Sequence, residues 1–247
     1  MYKFFVSDNQ IKNEEAKIIG EDVKHIRDVL RLNVGENIVI CNKDLGISYI
    51  ANIEELSKEE VICHITGENK TSTEPNVNVD IYQGLPKSDK MEYIIQKTTE
   101  IGVKNIYPVA LERCVVKLDK KDENKKILRW QKIAEAAAKQ SKRDFIPQIQ
   151  NVINLENICK NVPKYDIILL AYENEEGNTI KTELQKIKKR DNVNIGVVIG
   201  PEGGFTEKEV NTLIASGAKC ITLGKRILRT ETAPIVLLSD IIYEFEL

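Results

Sequence analysis

The sequence predicts an α/β protein: a largely parallel sheet flanked by helices, preceded by a small β-barrel domain. Three observations carry that reading. From residue 77 onward, apolar strand-like runs alternate with amphipathic helical stretches, the pattern of a parallel sheet covered on both faces. The first 70 residues instead hold several short runs rich in Val, Ile and aromatics, with turn residues between them. Between the two lies Gly67-Glu-Asn-Lys-Thr-Ser-Thr-Glu-Pro75-Asn, which is polar, aperiodic and broken by a proline. Domains are accordingly expected at 1–72 and 73–247, and a chain of 247 residues can bury a core in each.

In the first domain, strands are expected at 3–6, 37–41, 47–56 and 60–66, with Val34-Gly35-Glu36-Asn37 as a turn. One helix interrupts them, with Asp22 placed to cap a run carrying Val23, Ile26, Val29 and Leu30 on one face. After the linker, 77–84 reads as a strand. Ser88 then caps a helix with Met91, Ile94, Ile95 and Thr98 at helical spacing, closed near Gly102. A strand at 104–111 precedes a long helix with Ile127, Trp130, Ala134 and Ala137 on one side, ending near 141. Residues 166–172 are almost continuously apolar, as a strand buried on both faces should be. A Lys-rich helix over 179–190 follows. Strands at 195–199 and 220–223 each end in a glycine-bearing loop followed by a helix. The last helix, 232–245, is apolar most of the way round, which fits burial inside the monomer or a symmetric dimer interface equally.

Bulk properties exclude several classes. No apolar run approaches the roughly 20 residues needed to span a bilayer. The N-terminus, Met-Tyr-Lys-Phe-Phe-Val-Ser-Asp, is too weakly apolar for a secretory signal, so a cytoplasmic location is expected. Cys41, Cys63, Cys114, Cys159 and Cys220 are scattered and never form a Cys-x-x-Cys pair, which points to reduced packing thiols. Cys63 adjoins His64, but neighbours on a strand face opposite ways, and no metal site is expected. The net charge of −2 conceals a segregation: residues 1–70 are net −4, whereas 112–143 are net +6. That basic run reads as a solvated helix face or as a surface facing a polyanion.

The chemistry gathers in the two C-terminal loops. In Gly200-Pro-Glu-Gly-Gly-Phe-Thr-Glu-Lys-Glu, Pro201 fixes its own φ, while Gly203 and Gly204 permit positive φ and close approach of a ligand to the backbone. Thr206 and Glu209 form a capping box, so a helix begins directly after the glycines. A nucleotide phosphate loop fits poorly, since no Gly-x-Gly-x-x-Gly or Gly-Lys-Ser/Thr is present and Glu202 repels phosphate. An uncharged or cationic ligand suits this loop better. The second loop, Leu223-Gly-Lys-Arg-Ile-Leu-Arg-Thr-Glu-Thr-Ala, sets Arg226 and Arg229 beside Glu231, with Thr230 and Thr232. Ligands of open α/β sheets bind outside the carboxyl ends of the strands, so two such loops can share one pocket.

Taken together, Gly-Pro-Glu-Gly-Gly-Phe and Leu-Gly-x-Arg-Ile-Leu-Arg-x-Glu-Thr-Ala resemble the signature of the RsmE family, the 16S ribosomal RNA uracil-N3 methyltransferases of the SPOUT superfamily. Upstream, His25 with Val29-Leu30-Arg31, Lys90-Met-Glu-Tyr-Ile-Ile-Gln-Lys-Thr-Thr-Glu-Ile-Gly102, Glu112-Arg113, Trp130 and Ala136-Ala-Ala-Lys-Gln140 are similar to further family elements. The resemblance implies an N-terminal PUA-like barrel that binds RNA, a C-terminal SPOUT domain with a trefoil knot, and a homodimer. It implies S-adenosylmethionine (SAM) held by three loops: Leu170, Ala171, Tyr172 and Glu173; Ile199, Gly200, Pro201, Glu202, Gly203 and Gly204; and Leu223, Gly224, Ile227, Leu228, Arg229, Thr230, Thr232 and Ala233.

The reaction so implied is methylation of N3 of a uridine in 16S rRNA of the small ribosomal subunit. Arg229 or Arg226 is expected to stabilise charge on the base, and the proton acceptor is Glu231 or water. RNA is expected on Lys87, Lys90, Arg113, Lys139 and Arg143, with Arg27 and Arg31 contributed by the barrel. Two other readings stay open: a non-catalytic RNA-binding or ribosome-assembly factor, and a SPOUT enzyme acting on ribose 2′-oxygens.

Overall fold

The computed structural model describes residues 1–187 and 192–246. The chain divides into two compact units. One comprises Met1–Glu74 together with Ala138–Ile146, the other Pro75–Ala137 and Pro147–Leu247. The expected boundary near 72 leaves 138–146 with the C-terminal domain, but this short segment is packed into the N-terminal unit.

The N-terminal unit contains β1 (Lys3–Val6), β2 (Ile11–Lys12), β3 (Glu15–Ile19), α1 (Glu21–Lys24), β4 (Asn37–Asn42), β5 (Ile47–Leu56) and β6 (Glu60–Glu68). They form one sheet in the order β1-β4-β5-β6-β3-β2, antiparallel except for the parallel β1–β4 pair. The sheet curls into a half-barrel in which β1 touches β3. Its inside is filled by Phe4, Val6, Ile18, Ile38, Ile40 and Ile53. Sequence reasoning passed over β2 and β3 because their outward positions are charged and the inward Ala16 is small. Asp22 is not the cap expected of it. The helix starts after Gly20 and continues through a π-helical turn at His25–Leu30. The Asp22 carboxylate instead holds Lys139 at 3.0 Å.

Segment 138–146 is fastened to this unit by apolar and ionic contacts. Ala138 and Ile146 pack on Phe5, Val39 and Cys41. Asp144, buried, accepts hydrogen bonds from Lys3 Nζ at 2.6 Å, Ser48 Oγ at 2.9 Å, and the Thr73 N–H and hydroxyl at 2.8 and 2.9 Å. Burial alone raises the Asp144 carboxyl, but these donors, Lys3 foremost, outweigh it and hold the group below the ordinary carboxylate range. Glu74 in turn pairs with Arg143 and accepts from the N–H groups of Asp144 and Phe145.

The second unit alternates strands and helices: β7 (Val77–Gly84), α2 (Lys90–Ile101), β8 (Asn105–Val109), α3 (Lys120–Gln140), β9 (Gln148–Ile149), α4 (Leu155–Asn161), β10 (Ile167–Ala171), α5 (Ile180–Leu184), β11 (Val193–Ile199), α6 (Glu207–Ala215), β12 (Lys219–Ile221) and α7 (Ala233–Glu246). The end of α3 runs into the segment assigned to the first unit. All strand pairs are parallel, in the order β12-β10-β11-β7-β8-β9, as the alternation predicts. The Lys-rich helix expected over 179–190 is described only as α5, and residues 188–191 lie outside the described residues. Strand β9 has only two residues and leaves no periodic signal; α4 is announced by the Asn154–Asn157 capping box, which was overlooked. Asp89, not Ser88, precedes α2, because Ser88 itself adopts φ 56°. Leu237, Leu238, Ile241 and Ile242 bury α7 against α2, α5, β7 and β11, while Tyr243 remains 69% exposed. No helix among the described residues is long and apolar enough to cross a membrane.

Candidate active site

Strand order sets the location. Neighbouring β7 and β11 send the chain in opposite directions along the sheet, β7 toward β8 and β11 toward β12. A crevice must open at their carboxyl ends, the usual ligand site of such sheets. A cavity of about 390 Å³ lies on the β11 side of it, at the carboxyl ends of β10, β11 and β12, within the roughly 300–1,000 Å³ of small-molecule sites.

The loop after β10 contributes Ala171, Tyr172 and Glu173 to its wall. The loop after β11 contributes Ile199, Gly200, Pro201, Glu202, Gly204 and Phe205. From the loop after β12 come Thr222, Leu223, Gly224, Lys225, Arg226, Ile227, Leu228, Arg229 and Thr230, followed by Ala233; Lys90 reaches in from α2. Four of the residues expected at the site do not line the cavity. Leu170 is in the strand core, Gly203 backs onto Arg113, Thr232 donates its N–H to the Arg229 carbonyl at 2.8 Å, and Glu231 pairs with Lys90 at 3.3 Å. Phe205, Thr222 and Lys225 were missed as wall residues, although Phe205 and Lys225 lie within the quoted loops.

The first loop is held rigid by a few contacts. Thr206 and Glu209 form the expected capping box of α6, and the other Glu209 oxygen accepts the Glu112 N–H at 2.8 Å. Arg113, expected to contact RNA, donates Nη1 to the Gly203 carbonyl at 3.0 Å. Of the two adjacent glycines only Gly204 uses a left-handed backbone, at φ 65°. A Cβ there would stand 2.6 Å from the Glu173 carboxylate, whereas one on Gly203 would meet Arg113. The second loop is tied to the first through Thr230, whose hydroxyl donates to the Gly200 carbonyl at 2.7 Å and accepts from buried Gln83 at 3.0 Å. Gln83 carried no readable signal in the sequence, being one amide in an apolar strand.

Lys90 is the main electrostatic link. Its ammonium lies 2.8 Å from Glu202 Oε1 and 3.3 Å from Glu231 Oε2. The Glu202 hydrogen bond, then that of Glu231, outweighs desolvation and raises the Lys90 pKa above its ordinary value. Burial would raise the Glu202 carboxyl, but Lys90 and the backbone N–H groups of Glu202 and Lys87 together hold it low. Lys90 therefore faces the cavity as a fixed ammonium.

The remaining cations expected to meet RNA are distributed differently. Lys87 is exposed. Arg27 pairs with Asp28, and Arg31 is exposed in a left-handed turn. Arg143 is 4% exposed, and its guanidinium pairs with Glu74. Lys139 is likewise held by Asp22. Among the described residues, no three His, Cys, Asp or Glu side chains converge as a metal site.

An RNA methyltransferase domain model matches residues 73–242, and an RNA methyltransferase PUA domain model matches 18–66. Ribosomal RNA small subunit methyltransferase E of Bacillus subtilis (strain 168) is 38% identical, over 100% of this chain and 98% of that protein. The chain belongs to the RsmE family. The corresponding protein of Mesomycoplasma hyopneumoniae (strain 232) is 35% identical over 98% of this chain and 99% of its own length. The crystal structure of an RsmE-family relative, ribosomal RNA small subunit methyltransferase E from Neisseria gonorrhoeae bound to S-adenosyl methionine, superposes with a TM-score of 0.81. It is 30% identical and covers 97% of this chain and 96% of that one. Within the RsmE frame, the Glu112-Arg113 element buttresses the glycine turn, and the Lys90 element ties the loops after β11 and β12 together.

Proposed function

We propose that this protein transfers the methyl group of SAM to N3 of a uridine in 16S rRNA of the small ribosomal subunit. The observation that carries the reading is the three-loop cavity at the carboxyl ends of β10, β11 and β12, in a chain whose RsmE-family relative was crystallised with SAM. The residues present fit that cofactor. The glycine turn offers bare backbone, and Glu173 suits a ligand bearing a sulfonium and an ammonium. Ala171–Glu173, Ile199–Gly204 and the loop from Leu223 to Ala233 would hold it. When bound, SAM supplies an electrophilic methyl carbon.

Every other task falls to the chain. The cavity walls set N3 in line with the methyl carbon. The N3 proton passes to water, with Glu231, which does not line the cavity, acting only through that water. Arg229 and Arg226, both exposed on the cavity wall, stabilise the negative charge that spreads onto the uracil oxygens. Since N3 is a pairing position, the target base must be unpaired or extruded. Lys87, Arg27 and Arg31 are the cations best placed for RNA.

Work on ribosomal RNA implies a cytoplasmic protein. The half-buried Ile235, Val236 and Phe245 and the exposed Tyr243 of α7 support a homodimer. The trefoil knot is part of the same reading, supported by the return of the loop after β12 to Gly200 and Gln83 before α7 packs on β7.

Arg229→Ala should lower kcat/KM by the roughly 1.5–3 kcal/mol of a charge-assisted hydrogen bond, at least tenfold. Steady-state methyl transfer measures this, and a rate within twofold of the parent would remove Arg229 from the mechanism.

A further inference from the structure

We propose that the solvent face of α3, carried by Lys121, Lys125 and Lys132, docks the phosphate backbone of the substrate RNA. The inference rests on the reading above, in which that substrate is rRNA of the small subunit. These lysines would add to Lys87 and the arginines of the N-terminal unit.

The basic run at 112–143, by composition a solvated face or a polyanion surface, divides in the structure into two parts. Toward its end the cations are committed within the protein, Lys139 to Asp22 and Arg143 to Glu74. Arg113, near its start, donates to the Gly203 carbonyl. Lys121, Lys125 and Lys132 are different. They are exposed and make no salt bridge or hydrogen bond among the described residues.

Spacings of four, three and four residues set Lys121, Lys125, Leu128 and Lys132 on one side of the helix. Ile127, Trp130, Ala134 and Ala137 occupy the other side and face the core. At the rise of an α-helix the stripe is about 16 Å long. Leu128 is 68% exposed in its middle, an apolar surface suited to a ribose or a base.

The acids of this stretch are otherwise engaged. Asp119 accepts the Asp122 N–H at 2.8 Å, Glu123 accepts the Val152 N–H at 2.9 Å, and Glu135 is half-buried with a partner of its own. Asp122 and Glu123 also stand in the first turn, where the helix dipole favours a negative charge. Lys120 and Lys121 share that turn, where the dipole disfavours a cation. Helix stability therefore does not account for Lys121, whereas an anion outside the helix does.

Placement agrees with this partner. Strand β8 runs parallel to β7 and β11, so the chain leaves it at the cavity end of the sheet and enters α3 from there. Arg113, on that path, already touches the glycine turn. A strand of RNA leaving the cavity mouth thus meets the start of α3. Lysines recognise phosphates as point charges, which positions RNA without reading its sequence. Choice of the nucleotide stays with the cavity.

The test measures sedimentation of the full-length protein with small ribosomal subunits over a series of salt concentrations. Methyl transfer and calorimetric SAM affinity are followed on the same samples. Lys121→Gln, Lys125→Gln and Lys132→Gln together should weaken binding roughly tenfold and flatten the plot of log Kd against log salt by about 2, from ~0.7 per single-strand phosphate contact. SAM affinity should be unchanged. Lys121→Arg, Lys125→Arg and Lys132→Arg together keep the charge and should bind as the parent does. Lys160→Gln, Lys164→Gln and Lys181→Gln remove the same charge from exposed positions elsewhere in this unit, and should leave the slope alone. An unmoved slope in the α3 variant, or an equal change in that control, would overturn the proposal. Parent protein that binds subunits but transfers no methyl removes the underlying reading alone, since the slope still judges the stripe. Parent protein that binds no subunits removes both.

Discussion

Replacing Gly204 with valine should weaken SAM binding at least tenfold while leaving the protein folded. Gly204 sits at φ 65°, where a residue with a Cβ is strained by roughly 1–2 kcal/mol. A β-branched side chain is among the least tolerated there. The new Cβ would also stand 2.6 Å from Glu173 Oε1. The carboxylate is the far end of a flexible side chain and can swing away, so the collision itself costs little. The backbone cannot relax so easily, because the Gly204 N–H closes a turn onto the Pro201 carbonyl at 2.9 Å. Either the turn opens or the valine occupies the cavity. Gly203→Ala is the matched control: its Cβ would press on Arg113, away from the cavity, and SAM affinity should stay within threefold. Calorimetric titration of both variants distinguishes the two glycines. Equal losses would mean that the turn as a whole, and not the Gly204 backbone, supports the ligand.

Asp144→Ala should destabilise the N-terminal unit by about 3–5 kcal/mol, the usual cost of removing one partner from a buried ion pair. The substitution strands the Lys3 ammonium and takes the Asp144 acceptor from the Ser48 hydroxyl and the Thr73 N–H, while the Thr73 hydroxyl keeps the Lys142 carbonyl at 3.0 Å. The pH dependence has a definite sign. The folded-state pKa of Asp144 is depressed, so its contribution is complete above the ordinary carboxylate value near ~3.9 and fades as the pH falls through the lower folded value. Urea denaturation at neutral pH, following a probe in the N-terminal unit, measures the loss. A change below about 1 kcal/mol, the range of an exposed pair, would mean that segment 138–146 is held by its apolar contacts and the Glu74 bonds, with little from the Asp144 carboxylate.

Most of the site was legible because its chemistry is local in sequence. The glycine turn, the Thr206–Glu209 cap and the arginine loop each lie within one short stretch, and the alternation of strands and helices set those two loops at one end of a parallel sheet; the loop after β10 came only from the family resemblance. Tertiary pairing was not legible. Nothing in the sequence links Lys90 to Glu202 and Glu231, more than a hundred residues away, so Lys90 read as one more cation for RNA. Arg143 misled in the same way, since its partner Glu74 precedes it by 69 residues, inside what looked like a solvated linker. That linker residue and segment 138–146 belong to one unit. A boundary drawn from local composition could not see a piece of chain that returns later. The short β2, β3 and β9 were missed because two to five residues carry too little periodicity to register.

The most direct test of the central claim is methyl transfer from labelled SAM to small ribosomal subunits from an unmodified source, with mass spectrometry of the nucleosides released. The account predicts 3-methyluridine. A ribose-methylated nucleoside, or bound SAM with no methyl transferred, would contradict it.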